Sequence, residues 1–312
     1  MPGERVRRVA FIAGSSPLSE LTGQNPVNPA VRAFVHRLRD LGYVEGRNLH
    51  LDMRTLEGRF ERSAEVVGDV VRFKPDVIVM PSLLILQRGF DASVGVPIVV
   101  IAGGGLVESG LVRSLARPGG SVTGVLVDVD SGVEAKRLEL LREVAPNVAR
   151  IAFLGSPRAW DSPWGRGALA GAQRLGLNLF PVARGDTGAD YDEAFALIAR
   201  DRPDAVFVPT GPVSFGQRER IGRFLAESRI PSICAYSEVV EHGCLISYAS
   251  SVGGMLSRAA DYVARILQGS KPGDLPIEQP ASFELVVNLK TAKALGIRIP
   301  QSVLLRADRV ID

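Results

Sequence analysis

Short apolar runs that read as β-strands alternate with amphipathic runs that read as helices along almost the whole chain. This alternation leaves few architectures open, because it is the pattern of an α/β protein with parallel sheets. In the first half the strands fall at 8–13, 49–53, 76–80 and 97–101, with helices at about 28–41, 59–73 and 84–92 between them. Gly42 ends the first helix as a C-terminal glycine does, and Lys74-Pro75 ends the second. After Arg117-Pro-Gly-Gly120 and the apolar run Val122–Leu126, a fresh series begins. Its strands are 150–154, 178–182, 204–208, 232–235 and 244–248, and its helices are about 133–144, 164–175, 190–200 and 215–228. The second series repeats the architecture of the first without its sequence, so two similar Rossmann-like lobes follow, with no Ser/Pro-rich flexible linker between them. A helix from Gly253 to Leu267 is then broken by Lys271-Pro-Gly-Asp-Leu-Pro276, and the tail reads as a strand at Leu285-Val-Val287 and a helix from Leu289 to Leu295.

At 312 residues and 46% hydrophobic content, the chain can build two cores. No run reaches the roughly 18 consecutive apolar residues of a membrane span. Lys and Arg total 37 against 34 Asp and Glu; a surplus of +3 spread along the chain gives no basic stripe, so no nucleic acid partner is expected. His36, His50 and His242 are scattered without metal-ligand spacing, so no metal is expected. Gly103 to Gly110 follows a strand but lacks the spacing of a dinucleotide loop, so no cofactor is expected either. There is no G-x-S-x-G elbow and no grouped Ser, His and acid, which makes an enzyme the minority reading. Cys234 and Cys244 fit no zinc or C-x-x-C pattern and read as two small buried hydrophobes, with a disulfide open to them in an oxidising compartment. The run Glu134 to Glu143 reads as a solvated helix face with ion pairs at helical spacing.

In open α/β sheets, ligands bind beyond the carboxyl ends of the strands, where backbone N–H groups point at a crevice. The segments there are Gly14-Ser-Ser-Pro17, Pro81-Ser82, Ala102-Gly-Gly-Gly105, Gly155-Ser-Pro157, Pro209-Thr-Gly211 and Ala235-Tyr-Ser237. Small residues and hydroxyls suit a small polar solute held by hydrogen bonds. The candidate ligand-binding residues are therefore Ser15, Ser16, Ser82 and Gly104 on one side, and Ser156, Thr210 and Ser237 on the other. Trp160 and Trp164, the only tryptophans, flank Asp161-Ser-Pro163 and offer an apolar or stacking wall, with Phe215 and Tyr236 on neighbouring loops.

Gly42-Tyr-Val-Glu-Gly-Arg-Asn48, Leu56-Glu-Gly-Arg-Phe60, Ser114-Leu-Ala-Arg-Pro-Gly-Gly-Ser-Val-Thr-Gly124, Glu134-Ala-Lys-Arg-Leu-Glu-Leu-Leu-Arg-Glu-Val-Ala-Pro146 and the tail from Ser282 to Gly296 occur in one order. From about Val6 onward the chain resembles a family of substrate-binding proteins of bacterial ABC transporters, whose members include binders of aromatic amino acids. The resemblance implies a type-I periplasmic-binding-protein-like fold, two lobes closing by a hinge on a solute in the inter-lobe cleft. It also implies a monomer that hands its ligand to an ABC transporter permease. Three crossings are implied near 122–126, 246–252 and 270–280, giving an N-terminal lobe of 1–122 plus 250–275 and a C-terminal lobe of 123–249 plus 276–312. Ligand contact in the family also falls on the loops of Ser15, Ser16, Ser82, Gly104 and Ser156.

Two departures stand out. Many relatives have Asp-Pro where this chain has Gly105-Leu106, and Asp where it has Gly211. A buried ammonium group needs a carboxylate partner. Glu108, Asp161, Asp128 or Glu238 could substitute, but the simplest expectation is a neutral or anionic ligand that prefers no amine. Met1-Pro-Gly-Glu-Arg-Val-Arg-Arg8 leads straight into the first strand with no apolar signal core or cleavage site. Family members are normally exported, so a periplasmic location is expected, with the signal removed or the start assigned late. The alternative is a cytoplasmic ligand sensor of the same fold.

Overall fold

The computed structural model describes residues 5–93, 95–127, 132–185, 187–280 and 282–312. The chain divides into two compact units, one made of Met1–Val129 with Val252–Ala281 and the other of Asp130–Ser251 with Ser282–Asp312. Among the described residues no helix is long and apolar enough to cross a membrane.

The first unit is built on a five-stranded sheet of β1 (Arg7–Ala13), β2 (Leu49–Thr55), β3 (Val77–Met80), β4 (Ile98–Ala102) and β5 (Val122–Leu126), in the order β2-β1-β3-β4-β5. Every pairing is parallel. The inner strands read as unbroken apolar runs because both faces are covered: every residue of Val77–Met80 and Ile98–Ala102 is buried. Val122–Leu126, read from the sequence as a crossing segment, is the fifth strand of this sheet, paired Val100↔Gly124 with β4. Gly124 makes that pairing fit. Its φ of +149° is a region that L side chains rarely adopt, and a Cβ there would lie 1.9 Å from the Val100 carbonyl oxygen.

The helix Pro29–Asp40 starts at Asn28, whose Oδ1 accepts from the N–H groups of Ala30 and Val31. It packs against the helix Val252–Leu267, and Arg37 Nε donates to Asp261 Oδ1 at 2.8 Å across that contact. On the same late helix Arg258 donates to both oxygens of Glu278 at 2.6 Å, and those hydrogen bonds hold the Glu278 carboxyl below its usual range against the opposing effect of burial. Glu278 in turn extends β5, donating its N–H to Gly124 and accepting from Leu126 at 3.0 and 2.7 Å.

The second unit carries β6 (Arg150–Phe153), β7 (Asn178–Pro181), β8 (Ala205–Val208), β9 (Ser232–Cys234), β10 (Ile246–Ala249), β11 (Glu284–Asn288) and β12 (Arg309–Ile311), in the order β12-β11-β10-β9-β8-β6-β7. The pairing of β10 with β11 is antiparallel and the others are parallel. The short β12 and the reversal at β11 carry no signal in the apolar pattern, since three residues of which two are exposed show no periodicity. Phe153 and Phe207 stack at 5.8 Å in the core of this unit, surrounded by Leu138, Leu141, Ile151, Ile233, Ile246 and Val287.

Cys234, at the end of β9, is bonded to Cys244, which precedes β10, and both are fully buried. The reading of two free hydrophobes therefore gives way to a disulfide. Parallel β9 and β10 are neighbours, and the connection through Ser237–Glu241 returns the chain so that the two Cα atoms stand 6.6 Å apart, within bridging range.

Candidate functional site

Adjacent parallel strands put their carboxyl ends along one edge of a sheet, about 5 Å apart. In the first unit β1, β3 and β4 are consecutive, which lines up the segments carrying Ser15 and Ser16, Ser82 and Gly104. Ser16 is buried and already engaged: its hydroxyl accepts from Asn28 Nδ2 at 3.1 Å and its carbonyl from Thr55 Oγ1 at 2.7 Å. Ser15 differs. Its Oγ is buried with no hydrogen-bond partner. Ser82 is buried at the start of the helix Leu83–Gly89 without capping it. Gly104 is half-buried in the glycine loop after β4.

In the second unit β6, β8 and β9 are consecutive and bring together the segments of Ser156, Thr210 and Ser237. Ser156 caps the short helix Pro157–Trp160 by accepting from Ala159 N at 3.2 Å. The chain then turns into the helix Pro163–Arg174, where Ser162 Oγ donates to Ala159 O at 2.7 Å and accepts from Gly165 N at 3.1 Å. Gly165 has to lack a side chain, because a Cβ would stand 2.1 Å from the Trp160 carbonyl oxygen. This tight turn fixes the two tryptophans differently. Trp160 packs edge-on to Phe153 at 5.1 Å and against the core of its unit. Trp164 has its Nε1 buried with no acceptor.

Thr210 is half-buried, and its hydroxyl donates to Glu134 Oε1 at 3.3 Å. The Tyr236 hydroxyl accepts from Gly211 N at 2.6 Å and donates to Gly211 O at 3.0 Å, so this ring clamps the β8 loop, with Phe215 edge-on at 5.2 Å. Ser237 Oγ donates to Glu238 Oε2 at 3.3 Å. Glu238 is half-buried, and burial, with the charge of Glu241 adding to it, pushes its carboxyl above the usual range. Of the other acids named as substitutes, Glu108 and Asp161 are exposed, and Asp128 lies outside the described residues.

Sequence reasoning missed Glu134 and Arg137. Neither faces solvent: both are fully buried, paired at 2.8 Å, and Arg137 Nε donates to Tyr248 O at 2.7 Å. The signal was available, because Glu134, Arg137, Leu138 and Leu141 follow the i, i+3, i+4, i+7 spacing of a buried stripe. A concavity of about 480 Å³ along the β2 edge is lined by Arg8, Glu45, His50, Asp52, Arg54 and Phe73 among others, and it includes none of the candidate residues. Among the described residues no group of three or more His, Cys, Asp and Glu side chains is placed to hold a metal ion.

Residues 25–311 match the family described as ABC transporter substrate binding protein. A tyrosine-binding protein of Clostridioides difficile is 25% identical over 284 residues, covering 90% of this chain and 80% of that protein. A conserved domain protein from Vibrio cholerae, solved as a crystal structure, superposes with a TM-score of 0.83 at 26% identity, covering 98% of this chain and 100% of the other. An ABC domain from Streptococcus pneumonia in complex with L-Trp superposes at 0.82 and 22% identity, with the same coverage, and shows the shared fold. Homologues and fold alike are those of solute-binding proteins rather than enzymes. With two mainly parallel sheets, hydroxyls and buried donors at their carboxyl edges, and a match over nearly its whole length, the chain belongs to the ABC transporter substrate binding protein family.

Proposed function

We propose that the chain is the solute-binding component of an ABC importer. It captures a small amino-acid-like or carboxylate solute through the carboxyl-end loops of its sheets, with hinge closure on the solute as the step that a membrane permease reads. The observation that carries this reading is the pair of buried, unpartnered groups Ser15 Oγ, on the loop after β1, and Trp164 Nε1, in the first turn of the helix Pro163–Arg174. An indole N–H can only donate, and a buried donor without an acceptor costs about 1–3 kcal/mol. A solute that brings oxygen acceptors, as a carboxylate does, relieves that cost. Ser82, Gly104, Ser156, Thr210 and Ser237 complete the proposed contacts, and the tyrosine-binding relative makes an aromatic amino acid the first candidate.

The buried disulfide supports an extracytoplasmic location, because disulfides persist in oxidising compartments and are rare in the cytosol. It therefore weighs against the cytoplasmic sensor. Binding leaves the solute unchanged, and the working form is a monomer that meets its permease when loaded. A thermal-shift panel of aromatic and aliphatic amino acids, their deaminated analogues, purines and sugars tests the reading. Saturable stabilisation by one class, with the compound recovered intact, is expected. Stabilisation by none, or consumption of the compound, overturns it.

A further inference from the structure

We propose that Glu238 is the specificity-determining carboxylate of the site, the counter-ion for a cationic amine on the solute. This rests on the solute-binding reading above and reverses the expectation of a ligand without an amine. Glu238 follows β9 by four residues, directly after the candidate Ser237, on the edge where the ends of β6 and β8 are also found. Its carboxylate is half-buried and, among the described residues, has no Lys, Arg or His nitrogen within ion-pair distance; the Ser237 hydroxyl is its only side-chain donor. The charged groups acting on it are Glu241 on its own helix and, more weakly, Arg218 from the packed helix Arg218–Ser228, which also lies 3.7 Å from Glu219 Oε1. A carboxylate withdrawn from water without a cation is costly, and a solute ammonium group supplies the missing charge.

Two further features of the same unit define what surrounds that amine. Trp164 stands in the first turn of the helix Pro163–Arg174, the second helix after β6, and β6 is two strands from β9, so the ends of those two strands are about 10 Å apart. Between them, on the β8 loop, Gly211 leaves open room: a Cβ built there would meet nothing nearer than Ser214 Oγ at 3.9 Å. A solute that brings an acceptor for Trp164 Nε1 and an ammonium group for Glu238 would satisfy both, and a small zwitterion does so. An α-amino acid is the smallest common solute with both groups.

The test is titration calorimetry of the full chain with L-tyrosine, L-leucine and the deaminated analogue of each, for the natural protein, Glu238→Gln and Glu238→Asp. The natural protein is expected to bind at least one amino acid about tenfold or more tighter than its analogue. Glu238→Gln should erase that preference by weakening the amino acid relative to its analogue, which still binds, and Glu238→Asp should keep part of it. The analogue titration and a circular-dichroism spectrum separate this from misfolding. Equal affinity for the amino acid and its analogue in the natural protein, or a preference that survives in Glu238→Gln, overturns the proposal while leaving solute binding standing. Binding of no compound in the panel overturns both.

Discussion

Glu134 and Arg137 form an ion pair at 2.8 Å whose side chains are 1% and 0% exposed, one turn apart on the helix Gly132–Val144. Through them that helix is tied to the β8 loop by Thr210 and to the end of β10 by the Tyr248 carbonyl. Charges so deep in a protein gain little over an apolar pair but are damaging to leave single. Glu134→Ala should therefore lower stability by about 3–5 kcal/mol in urea unfolding. Replacing both residues with apolar ones of similar volume should cost much less than that.

The disulfide closes a short loop, with a sequence separation of 10 between Cys234 and Cys244. Chain-entropy reasoning gives a contribution of about 2–3 kcal/mol for a loop of that size. A Cys234→Ala/Cys244→Ala double variant should melt lower by a corresponding amount. The natural protein should approach it when scanned under a strong reductant, and the loop carrying Tyr236 to Glu238 should gain hydrogen-exchange rate in both cases.

The two tryptophans should separate cleanly. Trp160 packs on Phe153 and the core, so Trp160→Ala should destabilise by about 2–4 kcal/mol. Trp164→Phe keeps most of the ring and removes the unpartnered donor, so stability should hold or rise slightly while solute affinity falls about tenfold. Thermal melts and a binding titration of each variant read both effects.

For Glu238 the sign of the pH effect follows from burial. A carboxyl whose folded pKa lies above its ordinary value near 4.5 binds more protons folded than unfolded, so stability falls as pH rises from that value through the raised one. Glu238→Gln should remove that slope and melt higher than the natural protein at neutral pH. Affinity for an amine-bearing solute should run the other way, weakening as acid titrates the carboxylate, so stability and binding trade against each other at this residue.

Most of the architecture is legible in the residues because it rests on local signals. Apolar runs give most strands of both sheets, though not β12 and not the place of Val122–Leu126 in the first sheet, and glycines and prolines such as Gly42 and Lys74-Pro75 mark where helices end. The candidate loops follow from topology, since whatever comes after a parallel strand lies at its carboxyl edge. Partnership between side chains is not local and was hidden. Nothing in the sequence separates Ser15, whose hydroxyl is unpartnered, from Ser16, whose hydroxyl is held by Asn28. Nor does it say that Tyr236 spends its hydroxyl on Gly211, or that Glu238 is more withdrawn from water than Glu108 and Asp161. Those differences arise only when segments apart in sequence pack together within each unit.

Native mass spectrometry of the gently purified chain tests most directly whether it captures a small solute. A single small molecule bound per chain, either co-purified or acquired from an amino-acid mixture and released intact on denaturation, is the predicted result. A bare chain that stays bare after incubation with the mixture would contradict the account.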